Sequence, residues 1–239
     1  MPKPDRGRSS AVSAIALLSG GLDSTVATTV VVRDDKVDEA LTVDYGQAAA
    51  GAELRAGRDI ARSLGVPHRA IKLDLFSSLY GGALLDPTEP LPEPSPDELD
   101  GEPAAQSAKA VWVPNRNGVL INLAAAVAEA RGVSEVVVGF NREEAATFPD
   151  NGRAFLERIT ASLALSTANA VRVSSPTLDW NKTEIVAEGY RIGAPMNLIW
   201  ACYRGEARPC WRCESCKRFE RALRASGSWE RYRGEVDRE

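Results

Sequence analysis

The sequence predicts a doubly wound α/β fold on a parallel sheet, with a small metal-organised unit appended at its C-terminal end. Three observations predict it. Short apolar runs alternate with longer helix-like stretches through residue 193, the pattern of parallel strands joined by crossover helices. The first run, Val12 to Leu18, ends in Ser19-Gly20-Gly21, so a buried strand feeds a glycine turn. From Ala194 onward the alternation stops, and all four cysteines fall between Cys202 and Cys216. The expected division is an α/β domain over 1–193 and a zinc-binding segment over 194–239.

Asp23 to Val32 reads as the first helix, although its Thr and Val content gives a weak intrinsic propensity that packing must override. Ala40 to Val43 is expected as the second strand, Ala48 to Leu64 as the second helix and Arg69 to Leu73 as the third strand. Gly81 to Lys109 is rich in Pro, Glu, Asp and Ser and has no apolar periodicity. It reads as a long mobile loop, either a solvated insertion or a lid over an active site. Beyond it, Asn117 to Arg131 is an Ala-rich helix, Glu135 to Phe140 a strand, Ala154 to Ala168 a helix and Val171 to Val173 the last strand. No internal repeat of the kind that signals a solenoid is present.

The 239 residues, 44% hydrophobic, suffice for one generous core. A net charge of −4 does not mark a nucleic-acid binder. Met1 to Ser10 is basic and polar without an apolar signal core, and no stretch reaches the roughly 20 apolar residues of a membrane span. A soluble, cytoplasmic protein is expected. In such a reducing compartment, crowded cysteines favour a metal site over two disulfides.

Ser19-Gly20-Gly21-Leu22-Asp23-Ser24 sits where strand one hands over to helix one. Glycines there let backbone N–H groups approach a phosphate, and the helix N-terminus and the Ser19 and Ser24 hydroxyls complete an anion site. The loop lacks both a Walker ending and the G-x-G-x-x-G spacing. Asp23 suggests Mg2+ held near the phosphates. An ordinary serine-capped turn is the alternative. Cys202, Cys210, Cys213 and Cys216, spaced C-x7-C-x2-C-x2-C, suit one tetrahedral Zn2+ with a closed shell, hence a structural role. An iron–sulfur cluster is the other reading. His68, the single histidine, reads as a packing or surface residue.

The hexapeptide resembles the S-G-G-x-D-S signature of the PP-loop ATP pyrophosphatases, of adenine nucleotide alpha hydrolase-like fold. That resemblance implies that Leu18, Ser19, Gly20, Gly21, Leu22, Asp23, Ser24 and Thr25 hold ATP while a substrate oxygen attacks its α-phosphorus. Asp44-Tyr45-Gly46-Gln47 resembles D-Y-G-Q, Val113-Pro114-Asn115-Arg116-Asn117 resembles V-P-G-R-N, and Thr177 to Glu184 with the cysteine tail is similar to the tail of the 7-cyano-7-deazaguanine (preQ0) synthase family. The family adenylates 7-carboxy-7-deazaguanine, converts it with ammonia to the amide, and activates that again to give the nitrile, which can feed queuosine or archaeosine. Carried over, Ser19, Asp23, Ser24 and Lys182 are candidate catalytic residues. Gln47, Asn115, Arg116, Asn117, Glu144 and Asp150 are candidate substrate contacts, Asp150 for the guanidine-like edge. A homodimer without membrane or stable nucleic-acid partners is the expected assembly. Two stretches depart from the pattern: Ala48-Ala49-Ala50 follows D-Y-G-Q in place of Arg or His, and Ala146-Thr147-Phe148-Pro149-Asp150-Asn151-Gly152 stands for S-G-Y-P-D-C-R. Other readings are a PP-loop enzyme acting on a different acid or amide, including deazaguanine attachment to a protein, and a zinc-bearing tRNA-modifying protein. The last would use the basic residues Arg204, Arg208, Arg212, Lys217, Arg218, Arg221 and Arg224.

Overall fold

The computed structural model describes residues 13–34, 36–86 and 88–237. The basic Met1–Ser10 stretch and Val12 lie outside them. The order is β1 (Ala14–Leu17), α1 (Leu22–Val32), β2 (Val37–Asp44), α2 (Ala50–Ser63), β3 (His68–Lys72), α3 (Phe76–Leu79), α4 (Gly101–Ala110) and α5 (Arg116–Ala130). There follow β4 (Glu135–Val137), α6 (Arg142–Ala145), α7 (Arg153–Ser166), β5 (Arg172–Ser174), α8 (Lys182–Ile192), α9 (Glu214–Ala225) and α10 (Trp229–Val236). All strand pairs are parallel, in the order β3-β2-β1-β4-β5. The chain therefore winds outward in one direction from β1 and in the other from β4. Their carboxyl ends flank the crevice where such sheets bind ligands.

Strand alternation divides the core. Ile15, Leu41, Val43 and Val136 face Ile121, Ala124 and Ala125 of α5 and Ile159 and Leu163 of α7. On the other face, Ala14, Ala16 and Val137 meet Ala27 of α1, small side chains that let the helix lie close to the sheet. The opposite side of α1 is covered too, since Val26 packs with Ile185 and Val186 of α8. A helix buried on both sides tolerates the Thr and Val content that weakens it alone. Phe219, Leu223 and Tyr232 join that same cluster, so α9 and α10 thicken this layer. His68, half-buried at the start of β3, shares a 2.9 Å hydrogen bond with Thr42 Oγ1.

Residues 81–109 depart from the expectation of a long irregular loop. They hold a 3-10 turn at Pro96–Glu98, closed by a Ser95–Glu98 capping box, and most of the ten-residue α4. The buried face of α4 is Ala104 and Ala108, one turn apart, and alanines give no apolar stripe for periodicity to detect. Ion pairs hold the stretch to the C-terminal segment: Arg204–Glu93 at 2.7 Å and Arg221–Asp100 at 2.7 Å. Arg218, nearly buried, also donates to the Leu99 carbonyl at 2.6 Å. The fourth strand is shorter than expected, ending at Val137 rather than residue 140, because Gly139 leaves the sheet to pass the phosphate loop.

Candidate active site

The carboxyl ends of β1, β2 and β4 open into a cavity of about 270 Å³. Its floor is the loop between β1 and α1. Gly20 takes φ 84°, in the left-handed region, and a Cβ there would lie 2.7 Å from Ala56 Cβ. The Ser19 and Ser24 hydroxyls are 3.0 Å apart, Gly21 N–H points to Ser19 Oγ at 3.3 Å, and Thr25 Oγ1 donates to the Gly21 carbonyl at 2.7 Å. The loop thus presents two hydroxyls beside the first amides of an eleven-residue helix, which have no partners within the helix. Leu18, Ser19, Gly21, Leu22, Asp23 and Ser24 line the cavity. Gly20 and Thr25 stand behind them: the Gly20 carbonyl accepts from Trp200 N–H at 2.9 Å, and Thr25 is fully buried.

Gly139 supports the loop from the side of β4. A Cβ on it would fall 2.4 Å from Ser24 N and 2.6 Å from Asp23 C, both backbone atoms. Gly139→Ala is therefore expected to displace the loop, lowering stability by about 1–3 kcal/mol and raising the KM for ATP. Thermal denaturation and ATP titration check both.

Lys182 opens α8 behind the Asn181 capping box, yet its side chain is buried rather than solvated. Nζ donates to Asp23 Oδ2 at 2.8 Å and to Glu144 Oε1 at 2.7 Å. Burial alone would depress this ammonium, but the two carboxylates outweigh it and raise its pKa. Burial raises Asp23 from 3.8 to about 6 despite Lys182. Glu144, also opposed by burial, is held below its usual value by the same lysine. Asp23 Oδ1 is buried with no hydrogen bond. An orphaned anionic oxygen beside a phosphate loop fits a hard divalent cation.

The other wall comes from α5 and β2. Arg116 donates to Tyr45 Oη at 3.1 Å, and Asn117 Nδ2 donates to the Asp150 carbonyl at 3.3 Å. Both line the cavity, as do Glu144 and Lys182. Three nominated substrate contacts are absent from its wall. Gln47 is 5% exposed, with Oε1 accepting from Tyr45 N–H and Nε2 donating to Val43 O and Glu53. Asn115 adopts φ 55° at the start of α5, a left-handed conformation that Asn tolerates and that explains why it stands at the Gly of V-P-G-R-N. Asp150 is half-buried on the 3-10 turn Pro149–Asn151, accepts from Asn151 Nδ2 at 3.2 Å, and leaves Asn151 to face the cavity. Tyr45, Glu53, Phe148, Asn151, Trp200 and Tyr203 are wall residues that sequence reasoning did not nominate. Tyr45, Phe148 and Asn151 lie in the stretches quoted above and Tyr203 beside Cys202 of the tail, whereas Glu53 carries no signal.

The sulfurs of Cys202, Cys210, Cys213 and Cys216 all lie within 4.8 Å of one another, and none is in a disulfide. Backbone N–H groups of Arg204 and Cys210 point at Cys202 Sγ, and those of Arg212 and Cys213 at Cys210 Sγ, at 3.3–3.4 Å. Such donors stabilise thiolates. Four converging sulfurs leave no open position and fit a structural Zn2+. Trp211, at φ 55°, turns the chain between two of them and stacks on Phe219. Residues 200–203 run from this cluster into the cavity wall. Of the seven basic residues nearby, Arg204, Arg212, Lys217, Arg218, Arg221 and Arg224 each pair with a carboxylate, whereas Arg208 is exposed and has no carboxylate partner among the described residues.

A parallel sheet with this Ser-Gly-Gly-Leu-Asp-Ser loop at its switch point defines a PP-loop, ATP-utilising α/β protein. The family model described as queuosine biosynthesis protein QueC matches residues 13–227. The chain belongs to that family. It is 50% identical over 214 residues to the 7-cyano-7-deazaguanine synthase of Pelotomaculum thermopropionicum, covering 89% of this chain and 97% of that one. It is 48% identical over 214 residues to the synthase of the same description from Desulforudis audaxviator, with the same coverage of 89% and 97%. With that of Methanosarcina barkeri it shares 41% identity over 220 residues, 90% of this chain and 95% of the other.

Proposed function

We propose that the cavity makes 7-cyano-7-deazaguanine from 7-carboxy-7-deazaguanine and ammonia, consuming ATP. The observation that carries this is the convergence of the phosphate loop, buried Lys182 and Arg116 on one cavity, in a chain half identical to a named synthase. The acid's oxygen attacks the α-phosphorus of ATP, and pyrophosphate leaves into the Ser19–Ser24 loop. Ammonia then displaces AMP to give the amide. The amide oxygen attacks a second ATP in the same way, and loss of AMP and a proton leaves the nitrile. Each activation turns a poor leaving oxygen into part of a phosphate leaving group, AMP. The chain's part is to position the reactants and neutralise developing charge.

In this reading Ser19, Ser24 and the α1 amides bind the leaving pyrophosphate, Lys182 balances its charge, and Arg116 and Asn117 orient the acid. Asp23, with its orphaned Oδ1, and Glu144 would hold Mg2+, which supplies charge neutralisation at the phosphates. The four cysteines hold Zn2+ and keep residues 200–203 against the loop. No helix among the described residues is long and apolar enough to cross a membrane. A cytoplasmic homodimer acting on small molecules without nucleic acid, with residues 1–193 as the nucleotide-binding unit, completes the proposal.

The test is incubation with ATP, Mg2+, ammonium and 7-carboxy-7-deazaguanine, followed by mass spectrometry for amide and nitrile and a count of AMP. Nitrile with AMP formed twice per product is expected; ATP cleavage indifferent to this acid would overturn the assignment. A pH series adds a second readout. Asp23 binds its proton more tightly folded than unfolded, so its contribution to stability is full below 3.8 and lost as pH rises through about 6. Catalysis needs the opposite, charged form. AMP formation should therefore fall about tenfold per pH unit below the Asp23 pKa.

A further inference from the structure

Two of the cavity's carboxylates are committed. Asp23 and Glu144 both pair with Lys182 at the phosphate end. Glu53 is not. It stands in the first turn of α2, lines the same cavity, and takes a 2.7 Å hydrogen bond from Gln47 Nε2 on its Oε2. No hydrogen bond among the described residues reaches its Oε1, and the side chain is half-buried at the cavity wall. Gln47 cannot swing away, because Tyr45 N–H at 2.8 Å and the Val43 carbonyl at 3.2 Å fix both ends of its amide. A locked, buried amide therefore sets the direction of a cavity carboxylate. Val43, Leu84 and Tyr45 line the same cavity, apolar and aromatic surface that suits a flat heterocycle. Burial raises the Glu53 pKa, with Gln47 first and Arg116 next opposing it, so a ligand bringing N–H donors meets an acceptor poorly served by water.

We propose that Glu53 is a specificity-determining residue for the heterocycle, its carboxylate accepting the ring N–H and exocyclic amine of the deazaguanine's pyrimidine edge, with Gln47 as its positioning residue. This rests on the function proposed above. It also accounts for two nominated residues that the cavity wall excludes: Gln47 acts through Glu53, and the edge contact assigned to Asp150 falls to Glu53.

The experiment is steady-state kinetics of wild type and Glu53→Gln, varying ATP and acid separately, with a second acid lacking the exocyclic amine. A site built around a substrate N–H strongly rejects an analogue without it. Wild type should favour the full acid by about tenfold or more in kcat/KM, and Glu53→Gln should raise the KM for the acid about tenfold or more and lose that preference. The KM for ATP should stay within about twofold, which also shows that the variant is folded. Gln47→Leu should shift the acid KM in the same direction by less. Retained preference in Glu53→Gln, or a raised KM for ATP alone, would overturn the role of Glu53 and leave the functional reading standing. A wild-type protein that does not convert the acid would overturn both.

Discussion

Replacing Lys182 with Met is expected to reduce AMP formation at least about 10³-fold, the upper range for losing one preorganised electrostatic partner of a transition state. The size follows from where the ammonium sits. Its side chain is 9% exposed and bridges Asp23 and Glu144, so its loss removes a cation from the pyrophosphate site and leaves two carboxylates facing each other without it. Breaking such a pair costs about 3–5 kcal/mol where the orphaned charge stays buried. Protonation of Asp23, already raised to about 6, relieves part of that. The variant should therefore fold, melt somewhat earlier than wild type, and become more stable relative to it as pH falls. Lys182→Arg keeps the charge but not the compact ammonium that fits between two carboxylates, and should recover little activity. Pyrophosphate release in the presence of the acid, with a melting curve at two pH values, checks all of this. Full turnover by folded Lys182→Met would remove the lysine from the mechanism.

Cys213→Ser is expected to cause the largest loss of structure. Cys213 is completely buried and forms the N-cap of α9, whose first turn carries Cys216. Losing a thiolate from a closed four-sulfur site releases most of the metal affinity, and for such sites that affinity is folding free energy. The damage does not stop at the metal. Residues 200–203 leave the cavity wall, Trp200 loses its bond to the Gly20 carbonyl, and the phosphate loop loses its outer support. Metal analysis should show less than one equivalent of zinc per chain, with a low, broad melting transition and no AMP formation. A variant that stays metal-free, fully folded and active would refute a structural metal.

The five strands and the helices α1, α2, α5 and α7 were legible because their apolar runs are continuous and separated by glycine-rich or polar turns. The helix at Gly101–Ala110 was not, because its buried side chains are alanines whose burial depends on partners far along the chain. The phosphate loop and cysteine cluster were legible for a different reason: local spacing alone brings their groups together. Gln47 and Asn115 show what a motif leaves out. It marks residues that matter without saying whether they touch a ligand, hold a neighbour or supply a left-handed backbone. Lys182 carries the complementary lesson, since a lysine at a helix start looks solvated until two acids, 38 and 159 residues away in the chain, close over it.

Arg218 and Arg221 of α9 both bond Glu143, at 2.9 and 2.6 Å, while the same two side chains hold Leu99 and Asp100. Glu143 in turn accepts from the Lys182 backbone N–H at 3.3 Å. Through these two side chains the stretch before α4, the helix that carries Cys216 and the short helix carrying Glu144 are tied to one another, so local opening of one is expected to involve the others. The insertion is therefore not a free module for evolution or engineering. A chain that shortens it or alters its charges must compensate on a helix lying more than a hundred residues downstream, and a homologue that has lost the cysteines should have changed its insertion as well.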